Sequence, residues 1–181
     1  MVSRVLFVLM ISLGSYSSAQ EEYIQPGLLA ASITYSPSTM LNHDQSNFYA
    51  TGFAEYFLDK KFSFRSDTYL FLNSQNEKYF LHGGVRSYFG IAYHLSNGNW
   101  EGNIGFQPGI TVMNRKLYNT RPEPSIALRM GTTYYVWKYF HFFANLTYTA
   151  SKVSTYEFGT IRTDELVFSA GLGFQIQTKK N

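Results

Sequence analysis

The chain has 181 residues, of which 18% are aromatic and only 15% charged, with no cysteine and a formal net charge of +3. Soluble domains carry about 25% charged residues, so a surface bathed wholly in water is not expected, and so weak a positive balance argues against nucleic acid as a partner. Without cysteine there is no disulfide scaffold, thiolate metal site, cysteine nucleophile or lipoprotein-type acylation.

Arg4 precedes the apolar run Val5 to Leu13 and the small-residue stretch Gly14 to Ala19. Charge, apolar core and small residues in that order are the pattern of a secretory signal peptide, too short to span a bilayer as a helix. Residues 1–19 are therefore expected to be a cleaved leader, and residues 20–181 to form one domain. Nothing downstream offers the roughly 18 consecutive apolar residues of a transmembrane helix.

Beyond the leader the dominant period is two. The first half predicts strands near 27–36, 48–58, 62–72 and 79–95, the second of them with aromatics on both faces. From Asn103 to Val112 apolar even positions alternate with polar or small odd ones, and the rule repeats over 125–136, 140–150 and 166–177. Such alternation describes a strand with one apolar and one polar or small face. Long links at 37–47, 73–78, 114–124 and 152–163 alternate with short ones at 59–61, 96–101 and 138–139. The predicted fold is all-β, an eight-stranded antiparallel up-and-down barrel with one elaborate and one trimmed end.

Two kinds of barrel satisfy that pattern, and the side taken by the apolar face separates them. A soluble ligand-carrying barrel turns it inward, whereas a transmembrane barrel turns it to lipid. Here the other face is mostly Gly, Ser, Thr, Asn and Gln, which suit a narrow lumen better than an exterior. Aromatics also gather where strands end: Phe57, Phe62, Trp100, Trp137 and Tyr139 near the short links, Tyr35, Phe48, Phe71 and Tyr79 near the long ones. Rings at those levels match the two headgroup layers of a bilayer. Lipid offers no partner for an unpaired amide, so the last strand must pair with the first. An even strand count puts both termini on one side, expected to be the periplasm, with the long links outside.

With this pattern the chain resembles the small eight-stranded outer-membrane β-barrels of Gram-negative bacteria, the OmpX-like type, over residues 27 to 177. The stretch Ser169-Ala170-Gly171-Leu172-Gly173-Phe174-Gln175-Ile176 is similar to the last-strand signal read by the barrel-assembly machinery, with Ser169, Gly171, Phe174 and Ile176 at its marked positions. Such barrels end on an aromatic, whereas this chain continues through Gln177 to Asn181. The resemblance implies a location in the outer membrane, contact with lipid and lipopolysaccharide, and an envelope or surface protein as a further partner.

The interior charges are Glu55, Arg65, Asp67, Arg86 and Arg129. A turn centred on Lys60 sets Glu55 opposite Arg65, a cross-strand pair of opposite sign. In a narrow lumen these charges require partners. Their expected role is structural, filling the core in place of a gate or proton path, since eight strands enclose little more than side chains can fill. The second reading concerns His94-Leu95-Ser96-Asn97 and Glu101, which resemble the His-x-Ser-Asn motif of outer-membrane lipid A deacylases. That resemblance makes His94 the base, Ser96 the nucleophile and Glu101 the residue orienting the histidine. Against it, the motif lies far from the C-terminus and at a short link. His43, Asp44, His82 and His141 lack ligand spacing, so no metal or other cofactor is expected. Arg115, Lys116 and Arg121 with Glu123 make the third long link a basic one, suited to lipopolysaccharide phosphates.

Overall fold

The computed structural model describes residues 23–75, 81, 83–114, 121–155 and 159–179. The expected leader, Tyr79, His82, Arg115 and Lys116 lie outside them. The strands are β1 (Leu28–Met40), β2 (Ser46–Phe57), β3 (Phe62–Ser74), β4 (Gly83–Asn97), β5 (Trp100–Asn114), β6 (Glu123–Trp137), β7 (Phe140–Ala150), β8 (Lys152–Thr155), β9 (Gly159–Arg162) and β10 (Glu165–Gln177). Eight of them, β1 to β7 and β10, close into an antiparallel barrel in which every strand lies beside its neighbours in chain order and β10 returns to β1. The remaining pair, β8 and β9, is a separate two-stranded hairpin inside the fourth long link, which the period-two reading did not anticipate.

Alternation sets the two faces. Outward positions are apolar and exposed, including Ile104, Phe106, Leu128, Met130, Phe142, Leu146, Phe168 and Leu172, while Arg129 between two of them is 1% exposed. The ring residues Phe62, Trp100, Trp137 and Tyr139 are exposed at the short-link end. Two expected ring members face the lumen instead. Phe57 shares the parity of Phe53 and Glu55 and is fully buried. Phe71 packs edge-on against buried Tyr49, with ring centroids 5.8 Å apart.

The inward face is also more aromatic than the sequence reading anticipated. At the long-link end Tyr49, Tyr69 and Tyr88 pack with Met40, Met113 and Val167, and Leu81 and Val153 of the links close over them. At the short-link end Phe53, Phe57, Tyr135 and Phe143 pack with Leu28 and Ile24, and Tyr23 stacks on Tyr135 at 5.6 Å. The first and last barrel strands begin and end at this end, where Leu28 pairs with Gln177.

The second short link is tighter than its expected range, while the third spans 138–139 as expected. Asn97 still pairs with Trp100, so the second short link is only Gly98 and Asn99, with Gly98 at φ 62°. Residues with positive φ at such turns match the twist of the flanking strands. In the first short link Asp59 Oδ1 accepts the backbone N–H groups of Lys61 and Phe62 at 2.6 and 2.7 Å. Those two bonds hold the exposed Asp59 carboxyl below its ordinary range, the Lys61 amide contributing most.

Candidate functional site

Between the two apolar clusters the lumen holds its charges. The register sets Glu55 opposite Arg65, as the turn at Lys60 predicts. Arg65 donates from Nη1 to Glu55 at 2.9 Å and from Nε to Asp67 at 2.9 Å, while its guanidinium lies 3.6 Å from the centre of the Phe53 ring. Gln107 donates to the same Asp67 oxygen, Oδ2, at 2.6 Å. Arg129 comes from the opposite wall, donates to Asn103 at 2.5 Å and Asn145 at 3.3 Å, and brings Nη2 to 3.7 Å from Glu55. These four charges form one buried network.

Arg86 stands apart, nearer the long-link end. Its partner is Glu165, 2.8 Å away, a residue absent from the expected charge set. Glu165 accepts in addition from Ser38 at 2.9 Å, Asn47 at 3.0 Å and Tyr49 at 2.9 Å. The signal for it was present. Extending the inward odd series Gly173, Gly171, Ser169, Val167 by one step reaches Glu165.

His94 sits among several inward partners. Nδ1 lies 2.5 Å from Glu101 Oε1, and Tyr135 and Asn103 donate to the same carboxylate at 2.6 and 3.0 Å. The hydroxyl on Nε2 belongs to Ser63, at 2.7 Å, and not to Ser96. This corrects the expected assignment: Ser96 is exposed at the short-link mouth, two residues along the strand from His94, whereas Ser63 comes from the adjacent strand and points into the lumen. Ser63 also donates to Glu55 at 2.6 Å. A hydroxyl has one proton, and a carboxylate can only accept. The Ser63 proton is thus committed to Glu55, so Nε2 donates to Ser63 and Nδ1 donates to Glu101. With both ring nitrogens protonated, His94 is a cation, and a cation is no general base. The histidine also closes the charge count. Among the described residues, Arg65, Arg86, Arg129 and His94 stand against Glu55, Asp67, Glu101 and Glu165 on the inward strand faces, all of them buried, while buried Asp164 pairs with Arg162 in the fourth long link.

The remaining candidates are dispersed. Phe174 and Ile176 point outward, Phe174 tilted against Phe140 at 5.1 Å, while Ser169 meets Ser36 at 2.7 Å and Gly171 faces Thr34. His141 bonds Gln175 at 3.0 Å and His43 meets the Arg162 carbonyl at 3.2 Å. Among the described residues no three His, Cys, Asp or Glu side chains lie together as a metal-ligand set.

No family model matches the chain, and comparison with curated proteins finds no relative in sequence. Solved structures do match. The outer membrane protein OprG from Pseudomonas aeruginosa aligns with a TM-score of 0.62 at 10% identity, over 87% of this chain and 99% of that one. Neisserial surface protein A aligns with a TM-score of 0.59 at 11% identity, over 83% and 96%. The fold is that of the small outer-membrane β-barrels. Identities this low speak for architecture alone, and the OmpX-like type fits the barrel in strand number, order and closure. Among the interior charges, the barrel joins Glu55, Arg65, Asp67 and Arg129 in one network and leaves Arg86 to Glu165.

Proposed function

We infer that this protein is an integral outer-membrane barrel with a filled, non-conducting lumen, both termini in the periplasm and its four long links displayed at the cell surface without enzymatic activity. The observation that carries the reading is the sorting of side chains between the two faces. A continuous exposed apolar wall surrounds a lumen in which charged groups are buried and matched. Water would penalise that wall and lipid rewards it. In this reading the strands anchor the links, and the links choose the partner. Arg121, in the same basic stretch of sequence as Arg115 and Lys116, suits phosphate groups of lipopolysaccharide. The outward residues Phe174 and Ile176, with Ser169 and Gly171 on the inward parity, are the positions the assembly machinery would read. Fractionation combined with gel mobility before and after boiling tests the location: recovery in the membrane with a heat-dependent shift is expected, and recovery in a detergent-free soluble fraction rejects it.

A second reading, a hydrolase acting on acylated lipid, draws on the His94–Glu101 contact at 2.5 Å. The committed Ser63 proton and the exposure of Ser96, with Ser63 in its place on the imidazole, weigh against it. Release of labelled acyl chains from lipid A by the purified protein, abolished in Ser96→Ala or Ser63→Ala, would establish the enzyme. An unchanged lipid profile is the result expected.

A further inference from the structure

The seam that closes the barrel is built unlike the interfaces beside it. β1 and β10 are laddered from Leu28↔Gln177 to Ala31↔Phe174, and again from Ser38↔Val167 to Met40↔Glu165. Residues 32–37 and 168–173 between those stretches carry no ladder, yet both ladders keep one register, so no bulge accounts for the gap. Each strand is intact toward its other neighbour. β1 pairs with β2 continuously from Leu29↔Tyr56 to Thr39↔Ser46, and β10 with β7 from Glu165↔Thr149 to Phe174↔Phe140. The break therefore lies between two sound strands.

Side chains span it. Ser32 Oγ donates to the Leu172 carbonyl at 2.9 Å and Thr34 Oγ1 to the Ala170 carbonyl at 2.7 Å, and Ser36 and Ser169 join hydroxyl to hydroxyl at 2.7 Å. Rotatable hydroxyls occupy carbonyls that backbone amides fill in a regular ladder. Pro37, at the upper end of the gap, has no N–H to offer. Two grooves of about 580 and 600 Å³ reach the same seam, the first running from Leu172 and Phe174 past Ile33 onto Gly52, Ala54 and Thr68 of β2 and β3, the second bordered by Pro37, Phe48, Leu146, Leu166 and Phe168. Ile33 at the gap is 84% exposed.

We propose that the β1–β10 seam is a lateral gate: residues 32–37 and 168–173 part and reclose toward the surrounding lipid, while the ladders at either end hold the barrel together. The inference rests on the outer-membrane reading, since lipid is what the gap faces. Parting two laddered strands in hydrocarbon strands several amides and carbonyls, each at a cost of several kcal/mol. Here three hydroxyl contacts take the place of that ladder, so this stretch is where the wall yields most readily. At about 3.3 Å per residue the opening is roughly 20 Å long.

The test is residue-resolved amide hydrogen exchange on the full barrel in lipid nanodiscs. The gate predicts that seam-facing amides of 32–37 and 168–173 exchange at least about tenfold faster than those of 128–132 and 144–148 on the continuous β6–β7 interface. Thr34→Val, which removes one bridge and keeps the side-chain shape, should raise seam exchange about fivefold, the effect of one hydrogen bond of about 1 kcal/mol. Because the chain has no cysteine, Ser36→Cys with Ser169→Cys supplies one thiol pair, and its oxidation should slow seam exchange to the β6–β7 level. Equal protection of seam and control in the wild type, or fast exchange that persists in the oxidised pair, overturns the gate. Such a result leaves the outer-membrane reading intact, because that reading fails only if the protein shows no heat-dependent mobility and no membrane recovery.

Discussion

Arg86 and Glu165 meet across the lumen at 2.8 Å, from strands that are not neighbours in the barrel, with side chains 1% and 0% exposed. The pair ties the first-half wall to the closing strand, and Glu165 is the acceptor for Ser38, Asn47 and Tyr49 as well. Glu165→Ala would leave a buried guanidinium and three donors short of an acceptor. The expected loss is about 3–5 kcal/mol, measured as a lower denaturant midpoint in detergent. Arg86→Met combined with Glu165→Gln should recover part of it, because no uncompensated charge remains.

His94 should carry protons on both ring nitrogens in the folded barrel, since Nδ1 faces Glu101 and Nε2 faces a Ser63 hydroxyl already committed to Glu55. Nitrogen NMR of the labelled imidazole reads this directly, and a neutral tautomer with a bare nitrogen would contradict the bond accounting. His94→Ala removes the cation between two buried carboxylates and is expected to destabilise the barrel by about 3–5 kcal/mol. Ser96→Ala, at an exposed position, should stay within about 0.5 kcal/mol of wild type.

Asp59 supplies the pH dependence at the first short link. Its folded-state carboxyl is held below the ordinary range by the amides of Lys61 and Phe62, so its contribution to stability is present above the unfolded carboxylate range and is lost as pH falls through the depressed folded value. Titration of the Asp59 carboxyl carbon by NMR should show a midpoint below that of an unstructured aspartate. Asp59→Asn should abolish this part of the acid dependence.

Gly131 lies beside the Arg129 network. A Cβ there would run into Asn145 Oδ1, the atom that accepts from Arg129, and into the backbone carbonyl of Ala144. Gly131→Ala is expected to cost about 1–3 kcal/mol through overpacking, whereas an alanine at Gly102, where nothing lies within 4 Å of the new carbon, should be close to neutral. Thermal unfolding of the two variants in one detergent compares them.

Leu128 and Leu146 are about half exposed on the outward wall and Arg129 is buried between strands on the inward one. Nitroxides at the two leucines in bilayers should collide more with lipid-soluble oxygen than with a water-soluble relaxation agent. Leu128→Arg at mid-wall should destabilise the barrel by about 2–4 kcal/mol.

Much of this molecule is legible from local pattern. Side chains of successive strand residues point to opposite faces whatever the rest of the fold does, so the inward parity of Glu55, Arg65, Asp67, Arg86 and Arg129 and the exposed wall of Leu128 and Leu146 follow from the chain alone. The Glu55–Arg65 pairing follows as well, because a tight turn fixes the register of the two strands it joins. Parity does not say which inward residues meet across the lumen. That depends on how far each strand is staggered when the sheet closes, and only the closed barrel put Ser63 rather than Ser96 on His94, Glu165 on Arg86, and hydroxyls instead of a ladder between β1 and β10.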